Sequence, residues 1–155
     1  MILFHRRLPG PPPEGFDCGR DEQTRFFYEH AWRDQLGFLS TTYVFFAGRA
    51  LAAYATVFMD GLPLKRSERG EIRFSNVSAL KLGQLGVSLD FQGQGIGTEV
   101  LGFLVFLAHD VGQRVACRYL TLDAQPDLVT WYAERGFMHN EARQEERVAM
   151  ARRHG

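Results

Sequence analysis

The chain has 155 residues, and its 18 basic and 18 acidic side chains give a formal net charge of zero. Hydrophobic residues make up 45% and charged residues 23%, which is typical of one folded domain and excludes a disordered chain. The neutral balance excludes an overall electrostatic attraction to duplex DNA or to an anionic membrane. We therefore expect a single domain over residues 1–155.

The first half of the chain predicts a helix followed by a β-hairpin. Leu8–Gly15 is rich in proline and should be extended. Asp21–Arg33 has apolar residues at helical spacing. Thr41–Phe46 and Ala50–Met59 are rich in β-branched and aromatic residues around a short glycine turn, which favours a hairpin. Asp60–Arg73 is a long polar connection, and connections of this length are often functional or mobile.

The second half alternates strands and helices. Strands are predicted at Val77–Leu89, Arg118–Leu122 and, as a last edge strand, Arg147–Met150. Helices are predicted at Ile96–Gln113 and Asp127–Arg135. The first of these helices is apolar on more than one face, so it is either packed on two sides or part of a homodimer interface. The element order indicates a mixed α/β domain.

No segment predicts membrane insertion or export. The longest apolar run, Val100–Ala108, is about half of the ~18 residues that a membrane span needs. Met1–Arg7 places charges within a very short apolar start, so we expect no signal peptide. Cys18 and Cys117 are far apart and match no metal or redox spacing, which indicates free thiols in a reducing, cytoplasmic setting.

Three alternating glycines join the strand at Val77–Leu89 to the long helix. Glycine permits a sharp turn and leaves no side chain between its N–H group and a ligand. The free N–H groups and the dipole at a helix start form an anion site, and phosphate is the expected guest. A Walker loop is excluded because no lysine follows Gly97, and Thr98 stands where a dinucleotide fingerprint needs glycine. The remaining alternative is a turn that only packs the helix close to the sheet.

The glycine segment, Gln92-Gly93-Gln94-Gly95-Ile96-Gly97, matches the pattern Gln/Arg-x-x-Gly-x-Gly/Ala. It resembles the acyl-CoA pyrophosphate loop of the GNAT acetyltransferase superfamily. Leu120–Ala124 followed by Thr130–Phe137 is similar to the family's fifth strand and its closing aromatic motif. The resemblance implies an acyl-CoA N-acyltransferase fold, in which helices flank a mixed, mainly antiparallel central sheet.

The resemblance also implies acetyl-CoA as co-substrate and a set of residues that bind it. Backbone groups of two residues in the strand before the loop would hydrogen-bond the pantetheine arm, and the loop would hold the pyrophosphate. The residues carried over in this way are Leu85, Val87, Gln92, Gly93, Gln94, Gly95, Gly97 and Thr98. Thr98 could instead cap the helix start. No metal is expected, because the five histidines have no ligand spacing.

Tyr132 falls on the family tyrosine that often protonates the departing CoA thiolate. A phenol with a pKa of ~10 can donate to a thiolate whose acid has a pKa of ~8.5. The alternative is a packed aromatic beside Trp131 and Phe137. No general base is evident: Ser88 stands where relatives often carry an acid, and Asp90, Glu71 and Asp123 are candidates only by proximity. An α-amine, with a pKa near ~8, could react without one.

The acceptor is open between several classes. The neutral charge favours a primary amine of a small molecule or peptide. The alternative is the α-amine of aminoacyl-tRNA, since Phe16-Asp17-Cys18-Gly19 and the helix after it are similar to acetyltransferase toxins of toxin–antitoxin pairs. That likeness implies an antitoxin partner. A non-catalytic acyl-CoA-binding domain is the third hypothesis. The basic residues of the long connection and of the C-terminus are interleaved with acids, which predicts a solvated mixed-charge surface.

Overall fold

The computed structural model describes residues 2–139 and 148–153. Within them the chain forms seven strands and four α-helices. The strands are β1 Leu3–Arg7, β2 Thr41–Ala47, β3 Ala50–Pro63, β4 Asn76–Val87, β5 Tyr119–Ala124, β6 Met138–His139 and β7 Val148–Arg153. The helices are α1 Asp21–Glu29, α2 Ala31–Leu36, α3 Ile96–Arg114 and α4 Val129–Ala133. The predicted fold class, a mixed and mainly antiparallel α/β domain, is confirmed.

The predicted hairpin is β2 and β3, which pair antiparallel with Thr41 opposite Val57. Gly48 makes the turn between them with a φ of 61°. The predicted strands at 77–89 and 118–122 correspond to β4 and β5, and the long apolar helix corresponds to α3.

Four details differ from the sequence predictions. The helix predicted at Asp21–Arg33 is two helices, because His30 has a non-helical φ of −126°. Hydrophobic spacing is similar on both sides of such a break and does not reveal it. Strand β1 was not predicted, since its residues are mostly exposed and only backbone pairing with β2 makes it a strand. The connection after Asp60 is shorter than predicted, because β3 continues to Pro63.

The last difference concerns the final strand. It was predicted at the edge of the sheet, but β7 lies between β5 and β6 and pairs antiparallel with both. The prediction was wrong because β6 has only two residues, too few to produce a recognisable sequence pattern.

The chain divides into two compact units, and each is described separately. The first comprises residues 1–58 and 82–102 and contains β1, β2, most of β3 and the end of β4 in that order. Its core is aromatic: the rings of Phe27 and Tyr54 stack at 4.6 Å, and Phe16 packs against both. The Tyr54 hydroxyl donates to the Gln23 carbonyl at 2.6 Å, and burial raises its pKa far above the ordinary value. Gly86 of β4 is required here, because a Cβ would lie 2.7 Å from the Tyr54 ring.

The second unit comprises residues 59–81 and 103–155 and contains the rest of β3 and β4 with β5, β7 and β6. Its core includes Leu62, Ala79 and Tyr119. Lys81 of β4 and Asp123 of β5 form a half-buried ion pair at 2.6 Å.

Helix α3 buries one face, formed by Ile96, Val100, Leu101, Leu104 and Ala108. Phe106, on the same helix, is 64% exposed. Burial in the core therefore explains some but not all of the apolar residues of α3. No helix among residues 2–139 and 148–153 is both long and apolar enough to cross a membrane.

Candidate active site

The loop between β4 and α3, residues 88–95, has the geometry of an anion site and is called the phosphate loop below. After a short 3-10 turn at Leu89–Phe91, Gly93 and Gly95 adopt left-handed φ values of 78° and 80°. Both glycines are exposed, and a Cβ on either would point into open space. The 19-residue helix α3 begins directly after Gly95 and aims the positive end of its dipole at the same place. Exposed glycines and a helix start fit the pyrophosphate of an acyl-CoA.

The side chain of Gln92 anchors the phosphate loop. Its Nε2 donates to the carbonyl of Cys18 at 2.8 Å and to that of Val87 at 3.0 Å. Both protons of the Gln92 side-chain amide are therefore donated to backbone carbonyls. Gln92 supports the phosphate loop by fixing its backbone conformation. The Leu89 N–H donates to the Asp17 carbonyl at 2.9 Å, which ties the loop to the same N-terminal segment.

The conformation of the N-terminal segment Phe16–Gly19 permits its close contact with the phosphate loop. Gly19 has a φ of 79°, and a Cβ on it would lie 2.8 Å from a methyl group of Leu89. Its N–H donates to the Asp17 carboxylate at 2.8 Å. Cys18 is buried, and its N–H donates to Thr24 of α1 at 3.2 Å. From the sequence, the structural alternative for this motif was Phe16 as a hydrophobic staple before the helix that begins at Asp21. The segment supports the phosphate loop.

All eight predicted cofactor residues lie in the first compact unit. Leu85 and Val87 are half-buried at the end of β4, and the Val87 carbonyl is engaged by Gln92. Gln94 reaches the Asp90 carbonyl at 3.4 Å. Gly97 and Thr98 lie in the first turn of α3.

Tyr132, the predicted acid, lies in the second compact unit on α4. It is buried, with its ring edge-on to Trp131 at 4.9 Å and to Phe137 at 5.7 Å. Arg135 closes the short helix, because its guanidinium lies 3.9 Å from the centre of the Trp131 ring and donates to the Trp131 carbonyl at 2.7 Å. Gly136 follows α4, which ends at Ala133, and has a left-handed φ of 93°. The Tyr132 ring is therefore held between the rings of Trp131 and Phe137.

The three carboxylates named as general-base candidates differ in their surroundings. Asp123 is paired with Lys81 at 2.6 Å. Asp90 and Glu71 are exposed, and the Asp90 N–H donates to the Ser88 hydroxyl at 3.3 Å. These surroundings single out none of the three as the general base. No cluster of three metal-ligating side chains occurs among the residues that the structure describes.

A cavity of about 390 Å³ lies in the first unit, between α1 and β4. Glu22, Arg25, Phe26, Glu29, His30 and Gln84 line it. Its size is that of a small-molecule site, and within its lining Glu29 pairs with Arg25 at 3.5 Å. No local sequence pattern predicts this cavity, because its lining combines residues of α1 and His30 with Gln84 of β4.

Comparison with known proteins now identifies the family. The family model described as "Acetyltransferase (GNAT) domain" matches residues 64–150, more than half of the chain. The chain belongs to the GNAT acetyltransferase family. It is an acetyl-CoA-dependent N-acetyltransferase, as the sequence predicted, and acetyl-CoA is its acetyl donor.

Solved structures agree on the fold of this acetyltransferase. A tyrosine-to-phenylalanine mutant of KacT has a TM-score of 0.87 at 19% identity, covering 99% of this chain and 96% of that one. AtaT complexed with acetyl-methionyl-tRNAfMet has a TM-score of 0.84 at 19% identity, covering 96% and 94%. A structure described as a bacterial toxin has a TM-score of 0.83 at 20% identity, covering 98% and 90%. No curated protein matches the sequence.

Proposed function

We propose that this acetyltransferase transfers the acetyl group of acetyl-CoA to the α-amine of an aminoacyl-tRNA and acts as the toxin of a toxin–antitoxin pair. The observation that carries the proposal is the likeness to toxin structures over 96–99% of the chain, including one that holds an acetylated aminoacyl-tRNA. The N-terminal segment Phe16–Gly19, similar in sequence to such toxins, supports the phosphate loop and belongs to the same machinery. This proposal reverses the preference that net charge alone suggested.

The proposed chemistry assigns the named residues as follows. Acetyl-CoA supplies a thioester that the acceptor amine attacks, and CoA departs as a thiolate. Leu85 and Val87 bind the pantetheine arm through their backbone, while the phosphate loop with Gly97 and Thr98 holds the pyrophosphate. Tyr132 donates its phenolic proton to the thiolate. The α-amine needs no dedicated base because its pKa is near ~8.

The Tyr132 assignment is tested by Tyr132→Phe. The variant should bind acetyl-CoA with unchanged affinity and show a kcat about 100-fold lower, the usual contribution of a general acid. Trp131→Phe, beside it, is the control for altered ring packing. An unchanged kcat in Tyr132→Phe contradicts the assignment.

The acceptor is tested by measuring CoA thiol release with charged bacterial tRNA, the same tRNA uncharged, and a panel of small amines and peptides. The proposal expects release only with charged tRNA, and growth inhibition in a bacterial host that Tyr132→Phe relieves. Release with a small amine alone favours the second candidate, an acetyltransferase for a small molecule or peptide, whose support is the 390 Å³ cavity. Binding of acetyl-CoA without release would indicate a non-catalytic domain.

Four further assignments accompany the proposal. The first is that the 155 residues form a single acetyltransferase domain, and the second is that this domain lies in the cytoplasm. The third is that an antitoxin is its protein partner, which structures of AtaT with AtaR and of KacTA support. A homodimer through the exposed side of α3 is the fourth, supported by Phe106. Light scattering of Phe106→Ser against the wild-type protein tests the dimer.

A further inference from the structure

The connection between β3 and β4, residues 64–75, is called the basic loop below. It contains four cations, Lys65, Arg66, Arg69 and Arg73, and two acids, Glu68 and Glu71. On sequence alone the two signs alternate and indicate a solvated surface of mixed charge. The structure distributes these charges unequally between the interior and the solvent.

Glu68 is removed from the surface. It is only 6% exposed, and its Oε2 accepts from the Arg118 Nε and from the Tyr119 hydroxyl, each at 2.7 Å. Its Oε1 accepts from the Lys65 N–H at 3.0 Å. Burial raises the pKa of Glu68, but these hydrogen bonds outweigh it and hold the pKa below its ordinary value of 4.5. The carboxylate stays charged at neutral pH, and Arg118 compensates it internally.

Lys65 is half-buried, and its ammonium lies 4.8 Å from the centre of the Tyr119 ring. Arg66, Arg69 and Arg73 are exposed, and Glu71 is the exposed acid of the loop. An exposed aromatic accompanies them: Phe74 is 66% exposed, and the Arg73 guanidinium lies 5.8 Å from its ring centre. The buried Glu68 anchor holds this loop to β5 in a defined shape.

We propose that the basic loop is an RNA-contacting surface, with Arg66, Arg69 and Arg73 on phosphates and Phe74 against an unpaired base. Guanidinium groups bind phosphate in bidentate geometry, and an exposed aromatic ring stacks on bases. The proposal rests on the proposed function, since it names where aminoacyl-tRNA is held. It resolves the conflict between a neutral chain and an RNA substrate, because the surplus is local.

The test compares two triple variants that lose the same charge. The first is Arg66→Gln, Arg69→Gln and Arg73→Gln, and the control is Arg33→Gln, Arg49→Gln and Arg114→Gln, all on exposed side chains. Each is assayed for acetylation of charged bacterial tRNA, for tRNA affinity at several salt concentrations, and for acetyl-CoA affinity as a fold check. Phe74→Ala is measured separately.

The basic-loop variant should raise KM for charged tRNA at least tenfold while kcat stays unchanged. Its slope of log affinity against log salt should fall by about 2 to 3, since each lost phosphate contact removes about 0.7–0.9. Phe74→Ala should raise KM without altering the slope. Equal KM values and equal salt slopes in the two triple variants would overturn the proposal that the basic loop contacts RNA. Competition by duplex DNA as strong as that by tRNA also overturns it. A wild-type protein that neither binds nor acetylates charged tRNA overturns the proposed function itself.

Discussion

The phosphate loop and the basic loop are held by opposite kinds of contact. The phosphate loop depends on a neutral amide, because Gln92 donates to two backbone carbonyls. Its two glycines, Gly93 and Gly95, make the turn with left-handed φ values. The basic loop depends on a buried charge: Glu68 receives Arg118, Tyr119 and a backbone N–H. The comparison indicates that a loop that must bind an anion can leave its amides free, whereas a loop that presents cations needs its own acid neutralised.

The largest expected effect is that of replacing the two left-handed glycines of the phosphate loop. Ala at both Gly93 and Gly95 should lower acetyl-CoA affinity about 100-fold, because a left-handed alanine costs about 1–2 kcal/mol at each position. Isothermal titration calorimetry measures this effect. Gly48→Ala is the matched control, since Gly48 is also left-handed, faces open space and lies in the β2–β3 turn. It should lower stability and leave the affinity unchanged; an equal loss of affinity would show that strain acts generally.

Removal of the buried acid should have the next largest effect. Glu68→Ala leaves the Tyr119 hydroxyl and the Arg118 guanidinium without their partner, which should lower the free energy of unfolding by about 2 kcal/mol. Urea denaturation measures it, with the exposed Glu71→Ala as control and an expected change near zero. KM for charged tRNA should rise as the loop loses its shape. A stability equal to that of the control contradicts the anchor.

The neutral anchor should have a smaller effect. Gln92→Ala removes two hydrogen bonds and should weaken acetyl-CoA binding about tenfold, which corresponds to about 1.4 kcal/mol. Gln113→Ala is the control, because Gln113 is exposed and lies near the end of α3, outside the phosphate loop. Since no charge is involved, the ratio of affinities should not change with salt. Equal affinities for the two variants would remove Gln92 from the cradle's support.

The smallest effect is on pH dependence and separates the two loops directly. A carboxyl whose pKa is lower in the folded protein stabilises the fold above its unfolded pKa, near 4.5, and loses that contribution as the pH falls through the folded value. Wild-type stability should therefore decrease below pH 4.5 more than that of Glu68→Gln. Gln92→Ala should retain the wild-type pH dependence. Parallel curves for wild type and Glu68→Gln would contradict a charged anchor.

The sequence was informative wherever one residue type has only one local use. Alternating glycines before an apolar helix predicted the phosphate loop, since only glycine adopts the left-handed angles of Gly93 and Gly95 freely. The hairpin followed from two runs of β-branched and aromatic residues around a glycine turn, and α3 followed from a long apolar segment. By contrast, β1 and the interior position of β7 depend on pairing partners distant in sequence, and no local pattern records them.

The sequence by itself determined the family, the acetyl donor and the residues proposed to hold it, because those depend on short motifs with contiguous backbone geometry. The tertiary structure alone decided that Gln92 is tied to Cys18 and that Glu68 is buried against Arg118. It also changed the meaning of zero net charge. A sum over the sequence counts a buried, paired carboxylate and an exposed one equally, whereas a ligand meets only the charges that solvent reaches.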